Sequence, residues 1–274
     1  MLLPDFDLPA RPYESNLTKL QQFWFQPSFY GTEYLSDTPA MFVGNQTIYG
    51  ALDVPLLRTK LYNDHDIFLR LLVDRVRYEI PYWKEAVEER GGFLGTRELC
   101  SQAMEQGDNL LLFPGGGREV MKRDGEAYQL MWKERLGFVK MAAEHDYLIQ
   151  PFASIGAEEA YSILLDADDM QKLPFLKVIK NTRLWKKFLK HGDEIPPLSR
   201  GVALSPVPRP EPFFFIFGEA IETSAYRKKI HDDEAMAELR DTVQEAVEGL
   251  IEEGKNIRQS APKQALWRRF LKQM

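Results

Sequence analysis

Three consecutive glycines followed by an arginine form the segment best suited to binding a charged or polar ligand. Gly115, Gly116 and Gly117 come directly after the apolar segment 109–113, which predicts a buried strand, and Arg118 follows them. Glycines at the end of a strand leave several backbone N–H groups free to point at one ligand, and a guanidinium adds a planar set of donors. The spacing is not that of a P-loop, because GxxxxGK[ST] is absent. A plain glycine turn is the alternative interpretation.

The same segment resembles a sequence block of the glycerolipid acyltransferases. Residues 113–119 read FPGGGRE. They are similar to the FPEGTR-type block of that family, and more so to the PGGxRE variant of its diacylglycerol acyltransferase and phytyl ester synthase branch. Further segments continue the resemblance in the right order: VGNQTIYGALDVPL at 43–56, GEAY at 125–128, RLGF at 135–138 and IQPFA at 149–153. The resemblance covers roughly residues 40–220.

The resemblance implies a reaction and positions for the groups that carry it. Family members pass a fatty acyl group from a thioester, usually acyl-CoA, to a hydroxyl. A histidine takes the hydroxyl proton, and an aspartate orients the imidazole ring. Gln46 stands where that histidine is expected, and Asp53 is the matching carboxylate. Substrate-binding roles are implied for Gly115, Gly116, Gly117, Arg118 and Glu119 and, from a weaker match, for Arg75. We expect no metal and no cofactor other than acyl-CoA as co-substrate.

Glutamine at position 46 departs from the family pattern in its chemistry. An amide hydrogen-bonds a hydroxyl but does not accept a proton near pH 7. Loss of a general base typically costs a factor of about 10²–10⁴ in rate. Six residues separate Gln46 from Asp53, a longer spacing than the common one in the family. Three explanations stay open: an introduced inactivating substitution, a natural non-catalytic relative, or a different base.

The histidines are the first candidates for a different base. His65 lies in a polar turn before a strand, His145 ends a predicted helix, His191 precedes a glycine and His231 starts an acidic helix. No recognisable block surrounds any of them, and a solvated loop or a helix end accounts for each position. We therefore assign none of them a catalytic role.

The elements that position these residues alternate along the chain. Apolar runs predict strands at 40–44, 67–73, 93–94, 109–113, 147–154 and 213–217. Helices are predicted at 13–26, 53–62, 81–90, 97–106, 132–144 and 232–253. This alternation indicates an α/β fold with a central, mostly parallel sheet flanked by helices. Pro151 inside a strand predicts an irregular strand. We divide the chain into an N-terminal arm and aromatic helix (1–35), an acyltransferase-like α/β domain (36–230) and an acidic helix with a basic tail (231–274).

The charge is unevenly distributed. The net charge is −6, yet residues 172–190 hold seven Lys and Arg, and residues 261–274 hold four, with no acid in either segment. Tryptophan and phenylalanine among these cations are typical of helices at an anionic membrane surface. A helix packed on its own domain is the alternative. The acidic balance and the lack of a known binding module disfavour nucleic acid as a partner.

Two further features bear on location. No apolar run approaches the ~18 residues of a membrane span, and the start, MLLPDFD, lacks the basic and apolar regions of a secretory signal. Cys100 is the only cysteine, which excludes an intramolecular disulfide and favours a reducing compartment. We expect a cytoplasmic protein, peripheral at the inner face of the membrane.

Together these features predict an enzyme of the O-acyltransferase type, impaired by Gln46, that acts on a lipid or long-chain alcohol. The alternative is a non-catalytic acyl-CoA- or lipid-binding relative that keeps the pocket. A serine hydrolase is disfavoured because the sequence has no GxSxG motif.

Overall fold

The protein is built around a seven-stranded, mostly parallel sheet. The computed structural model describes residues 2–50, 52–80, 82–173 and 194–274. Its strands are β1 (Ser28–Tyr30), β2 (Ala40–Gly44), β3 (Leu69–Val73), β4 (Phe93–Leu94), β5 (Asn109–Leu112), β6 (Leu148–Ile155), β7 (Ser162–Leu165), β8 (Leu198–Arg200) and β9 (Phe214–Phe217). The large sheet has the order β1-β9-β6-β2-β5-β3-β4, and only the β6–β9 pair is antiparallel among the described strands of this sheet; β7 and β8 form a separate pair. The predicted fold class is confirmed.

Helices cover both faces of this sheet. They are α1 (Asn16–Phe25), α2 (Val54–His65), α3 (Arg75–Tyr78), α4 (Trp83–Glu88), α5 (Arg97–Glu105), α6 (Gly116–Val120), α7 (Gly137–Glu144), α8 (Ala167–Lys172), α9 (Asp233–Ser260) and α10 (Leu266–Gln273). Met41 and Val43 of β2 join one apolar core with α5, α7 and α9. Ala40 and Phe42, which alternate with them, join a second core with α1 and α2. Because both faces of β2 are buried, the strand reads as a continuous apolar run.

Local capping signals correctly predicted the starts of two helices that flank the site. Asp53 is the N-cap of α2, where its side chain accepts a hydrogen bond from the Val54 N–H, and Pro55 occupies the first turn. Thr96 caps α5 in the same manner through the Leu99 N–H. Both caps satisfy N–H groups that the helix itself leaves without partners.

The predicted helix at 132–144 was wrong in its first turn, because α7 begins only at Gly137. Lys133 has a φ of 53°, which an α-helix does not accommodate. Trp132 is buried in this irregular segment, and its ring meets that of Phe138 edge-on with centroids 5.7 Å apart. Burial of a large aromatic side chain therefore determines the backbone here, against the local periodicity.

The irregular strand predicted around Pro151 was also wrong, since β6 is regular and lies inside the sheet. The carbonyl of Pro151 accepts a hydrogen bond from the Gly218 N–H at 3.1 Å. The nitrogen and carbonyl of one strand residue face the same neighbour, so the missing N–H of Pro151 faces β9. That strand has already ended at Phe217. The Gly218 carbonyl, which the missing N–H would have met, accepts a hydrogen bond from the Gln150 side chain instead, and the strand stays regular.

The acidic helix is longer than predicted and belongs to the core. α9 runs to Ser260, beyond the predicted end at 253. A Cβ at Gly254 would lie 2.6 Å from side-chain atoms of Ile155 and Ile216, so the glycine lets the helix continue close against β6 and β9. Residues 174–190 of the basic segment and His191 lie outside the described residues. The domain boundaries stay a prediction.

Candidate active site

Two loops meet at the carboxyl edge of the parallel strands. β2 and β5 are neighbours, with Val43 opposite Leu112, so the segments that follow them emerge side by side. The backbone N–H of Gln46 donates to Oε1 of Glu119 at 2.7 Å. The other oxygen of Glu119 accepts from the Met131 N–H at 3.3 Å. Glu119 is fully buried, and burial raises the pKa of its carboxyl against the opposing effect of the Lys122 charge. The side chain predicted to bind substrate thus joins the two loops.

The three glycines make room for side chains from other parts of the chain. A Cβ at Gly115 would overlap Oε2 of Glu119, and a Cβ at Gly117 would overlap the carboxylate of Glu194. Gly116 has a φ of 54°, which favours glycine. Its N–H donates to the carbonyl of Phe113 at 3.0 Å. The loop passes at once into α6, and its glycines serve close packing around the carboxylates.

Arg118, the predicted ligand-binding cation, forms an ion pair within the protein. Its two terminal nitrogens contact the two carboxylate oxygens of Glu126 at 2.9 and 2.5 Å. Burial acts to raise the pKa of Glu126, but the hydrogen bonds from Arg118 and the Arg123 N–H, together with the charges of both arginines, hold the pKa below its ordinary value. Arg118 does not line the cavity beside Gln46.

Asp53 lies on the same loop as Gln46 but faces the protein interior. Its Oδ1 accepts from the Thr47 hydroxyl at 3.1 Å and from the Val54 N–H at 3.0 Å. Burial raises the pKa of this carboxyl, although both hydrogen bonds act to lower it. Asn45 ties the loop to β6, because its side chain exchanges hydrogen bonds with the backbone of Ser154 at 2.9 and 2.8 Å. These bonds anchor the start of the loop on β6.

A cavity of about 670 Å³ opens beside Gln46. Apolar side chains form much of its wall: Leu71, Leu72, Val73, Ile80, Trp83, Val87, Leu112, Phe113, Val120 and Phe138. Gln46 contributes the amide, and Gly116 brings the glycine loop to the same wall. The Oε1 atom of Gln46 is buried and has no hydrogen-bond partner within the described residues. An unsatisfied buried acceptor costs about 1–3 kcal/mol, so the fold holds this amide at an energetic cost.

Two arginines to which the sequence analysis assigned no binding role line this cavity. Arg77 pairs with Asp74, the N-cap of α3, and Arg135 donates to the carbonyl of Pro114. Arg75, which the family resemblance singled out, has an exposed side chain outside the cavity wall. The capping signal at Asp74 could have located Arg77, because an N-cap aspartate faces the first turn of its helix.

The described histidines lie away from the cavity. His65 ends α2, and His231 is exposed just before α9. His145 ends α7, where its Nε2 lies 2.9 Å from the Ser101 hydroxyl. None of these three lines the cavity beside Gln46.

A buried ion pair that the sequence analysis did not predict lies near Asp53. Nζ of Lys122 is 3.4 Å from Oε1 of Glu158, and both side chains are almost fully buried. Burial raises the pKa of Glu158 to about 7, against the charge of Lys122, and the charge of Asp53 raises it further. The carboxyl of Glu158 therefore titrates near neutrality, and its protonation depends on the charge of Asp53.

Comparison with known proteins places the chain in a family. The acyltransferase family model matches residues 26–155. Phytyl ester synthase 2, chloroplastic, of Arabidopsis thaliana is 30% identical over 249 residues, which are 87% of this chain and 35% of that protein. Phytyl ester synthase 1, chloroplastic, of the same plant is 30% identical over 166 residues, 59% of this chain and 24% of that protein. The chain thus spans about a third or less of the length of these relatives.

A solved structure shares the fold. The crystal structure of the 1-acyl-sn-glycerophosphate acyltransferase PlsC from Thermotoga maritima superposes with a TM-score of 0.50 at 14% identity, covering 90% of this chain and 81% of the other. The family match includes both loops that Glu119 joins, and one relative aligns along most of the chain. On these grounds the chain belongs to the acyltransferase family.

Proposed function

We propose that the protein transfers a fatty acyl group from a thioester, acyl-CoA by preference, to the hydroxyl of a lipid or long-chain alcohol, and that Gln46 leaves this reaction impaired. The observation that carries the proposal is the position of Gln46. Its amide lines an apolar cavity, beside a glycine loop that the buried Glu119 holds in place.

The cavity suits an amphipathic substrate. Its volume of about 670 Å³ lies within the ~300–1,000 Å³ common for ligand pockets. The apolar wall is suited to an acyl or other long hydrocarbon chain. Arg77 and Arg135 supply guanidinium groups, which match phosphate oxygens. Names of relatives, which include phytyl ester synthase, support a long-chain alcohol as the acceptor.

The reaction requires a group to receive the hydroxyl proton. The alcohol oxygen attacks the thioester carbonyl, a C–O bond forms, the C–S bond breaks, and the thiolate leaves and is finally protonated. The amide of Gln46 can hydrogen-bond a hydroxyl but cannot accept its proton. We therefore expect binding without efficient turnover. Cytoplasmic location at a membrane surface is part of the same proposal.

Restoring the base tests the proposal. Gln46→His should raise acyl transfer from acyl-CoA to long-chain alcohols and glycerolipids about 10²–10⁴-fold, the range of a general base, with ester formation followed by mass spectrometry. Gln46→Asn keeps an amide at this position and should stay at the level of the parent chain. If the histidine variant transfers no acyl group to any of these acceptors, the enzyme proposal fails.

A second candidate function is acyl-CoA or lipid binding without catalysis. The apolar cavity beside Gln46 favours it, because a chain that keeps the cavity but has no base at this position can still bind a ligand. The parent chain and Gln46→His would then bind acyl-CoA with equal affinity by calorimetry, and neither would turn it over. A rise in turnover with the histidine variant would contradict this candidate.

A further inference from the structure

The C-terminal helix α10 packs with its polar side inward. Arg268 is 1% exposed, and its guanidinium donates to the carbonyls of Phe23 and Trp24 at the end of α1. A cation is well placed there, because the last carbonyls of a helix lack partners and carry partial negative charge. Leu266 and Phe270, in contrast, are 79% and 64% exposed. This helix is inverted relative to an ordinary surface helix.

The first helix is inverted in the same way. Thr18 and Gln21 of α1 are buried. Leu17, Leu20 and Phe23 are exposed, Leu20 by 59%. Their spacing of three places them along one side of the helix. An ordinary amphipathic surface helix turns its apolar side to the core, so the core does not account for this arrangement.

The two helices present one apolar surface. The ring of Trp267 stacks on that of Phe23 with centroids 6.0 Å apart. We call the set Leu17, Leu20, Phe23, Leu266, Trp267 and Phe270 the inverted-helix surface. Single exposed apolar residues are common on proteins, whereas contiguous groups of them mark contact with a partner or a membrane.

The charges around this surface indicate which partner it meets. Lys263 and Arg269 are exposed beside it, and residues 261–274 contain no acid although the chain carries a net charge of −6. A second copy docked by the same surface would set these cations against their own equivalents. An anionic lipid headgroup complements them, while the acyl region accepts tryptophan, leucine and phenylalanine side chains.

The surface lies on the same edge of the sheet as the cavity. β1 begins at Ser28 beside Phe214, which pairs with Ile155 at the carboxyl end of β6. The carbonyl of Phe25, the last residue of α1, accepts from the Phe213 N–H at 3.0 Å. The end of α1 therefore sits at the carboxyl edge, where the loop of Gln46 also emerges.

We propose that the inverted-helix surface docks the protein on a bilayer that contains anionic phospholipids, with the carboxyl edge of the sheet turned toward the lipid. Within the described ranges no helix is long and apolar enough to cross a membrane, so the contact is at the interface. The purpose of this docking rests on the proposed function. The binding itself does not, because it needs no acyl donor and no base at position 46.

Vesicle flotation of the whole chain tests the proposal. The parent chain should float with phosphatidylcholine vesicles that contain phosphatidylglycerol, and less with phosphatidylcholine alone. L20S/F270S should lower the bound fraction at least tenfold, and K263E/R269E should abolish the preference for phosphatidylglycerol. L164S/L198S, two exposed leucines of the β7–β8 pair, is the matched control and should float like the parent. Equal circular dichroism spectra establish that each variant is folded.

A fluorescence measurement reports on the surface directly. Addition of anionic vesicles should shift the tryptophan emission to shorter wavelength, and Trp267→Phe should remove much of that shift. The proposal is overturned if L20S/F270S floats as well as the parent chain. It is also overturned if sedimentation shows that the parent chain is a dimer and that L20S/F270S is a monomer. The partner at this surface would then be a second copy of the chain. Gln46→His should float like the parent chain, because docking needs no base at position 46. Failure of the docking proposal can therefore be told apart from failure of the proposed function.

Discussion

The backbone N–H of Gln46 and Oε1 of Glu119 lie 2.7 Å apart, although 73 positions separate the two residues in the chain. This one hydrogen bond joins the loop after β2 to the glycine segment after β5. Glu119 also accepts from the Met131 N–H. One buried carboxylate thus fixes the relative positions of three segments of the site.

Glu119→Ala should therefore loosen the site and destabilise the fold. The change leaves two partly buried N–H groups without an acceptor, and each unsatisfied group costs up to about 1–3 kcal/mol. We expect the free energy of unfolding in urea to fall by that order, and acyl transfer by Gln46→His to fall when the two changes are combined. Glu245→Ala, on the exposed side of α9, should change neither. Unaltered stability of Glu119→Ala would show that Glu119 does not hold the loops.

Gly115→Ala tests the close packing of the glycine segment. The added Cβ overlaps the buried carboxylate of Glu119, and overpacking of this kind costs about 1–3 kcal/mol. The control is Gly249→Ala in α9, where the added Cβ meets nothing within 4 Å and should raise helix stability by about 0.5–1 kcal/mol. Thermal unfolding of both variants is the measurement. Equal stability of Gly115→Ala and the parent would refute the packing role.

Substitution of Arg77 and of Arg75 tests which arginine binds the substrate. The structure favours Arg77, and the family resemblance favours Arg75. In the Gln46→His background, Arg77→Met should raise the KM for acyl-CoA about tenfold, because a guanidinium in the cavity wall is lost and a charge-assisted hydrogen bond contributes about 1.5–3 kcal/mol. Arg75→Met removes an equivalent charge from outside the wall and should leave the KM unchanged. A higher KM with Arg75→Met alone would favour the family-based match.

The raised pKa of Glu158 predicts a pH dependence of stability. Burial raises this pKa from 4.5 to about 7, so between these pH values the folded protein holds a proton that the unfolded chain has lost. The free energy of unfolding should then fall as pH rises through this window, by at most about 3 kcal/mol. The loss is complete above about pH 7.

Urea unfolding from pH 4.5 to 7.5 checks this dependence. Glu158→Gln cannot titrate, so the difference in unfolding free energy between it and the parent should change across the window. Its absolute stability also reflects the loss of a charged partner for Lys122, which is why the slope is the quantity to compare. Glu245→Gln should reproduce the slope of the parent. An identical slope in Glu158→Gln would contradict the raised pKa.

The helix starts at Asp53 and Thr96 followed from the sequence because a cap is a contact between near neighbours in the chain. The start of α7 did not, since burial of Trp132 against the core overrides local periodicity there. The regularity of β6 at Pro151 depended on Gly218, more than sixty positions away, whose carbonyl accepts from the Gln150 side chain in place of the missing N–H.

The sequence by itself determined the alternation of strands and helices and brought the Gln46 and Gly115–Arg118 segments to notice through their family resemblance. Only the tertiary structure decided which side chains face the cavity. It paired Arg118 with Glu126, turned Arg77 and Arg135 toward the cavity and exposed the apolar sides of α1 and α10. The physical reason is range: periodicity and capping act within a few residues, whereas ion pairs and burial depend on groups that the fold brings together from distant parts of the chain.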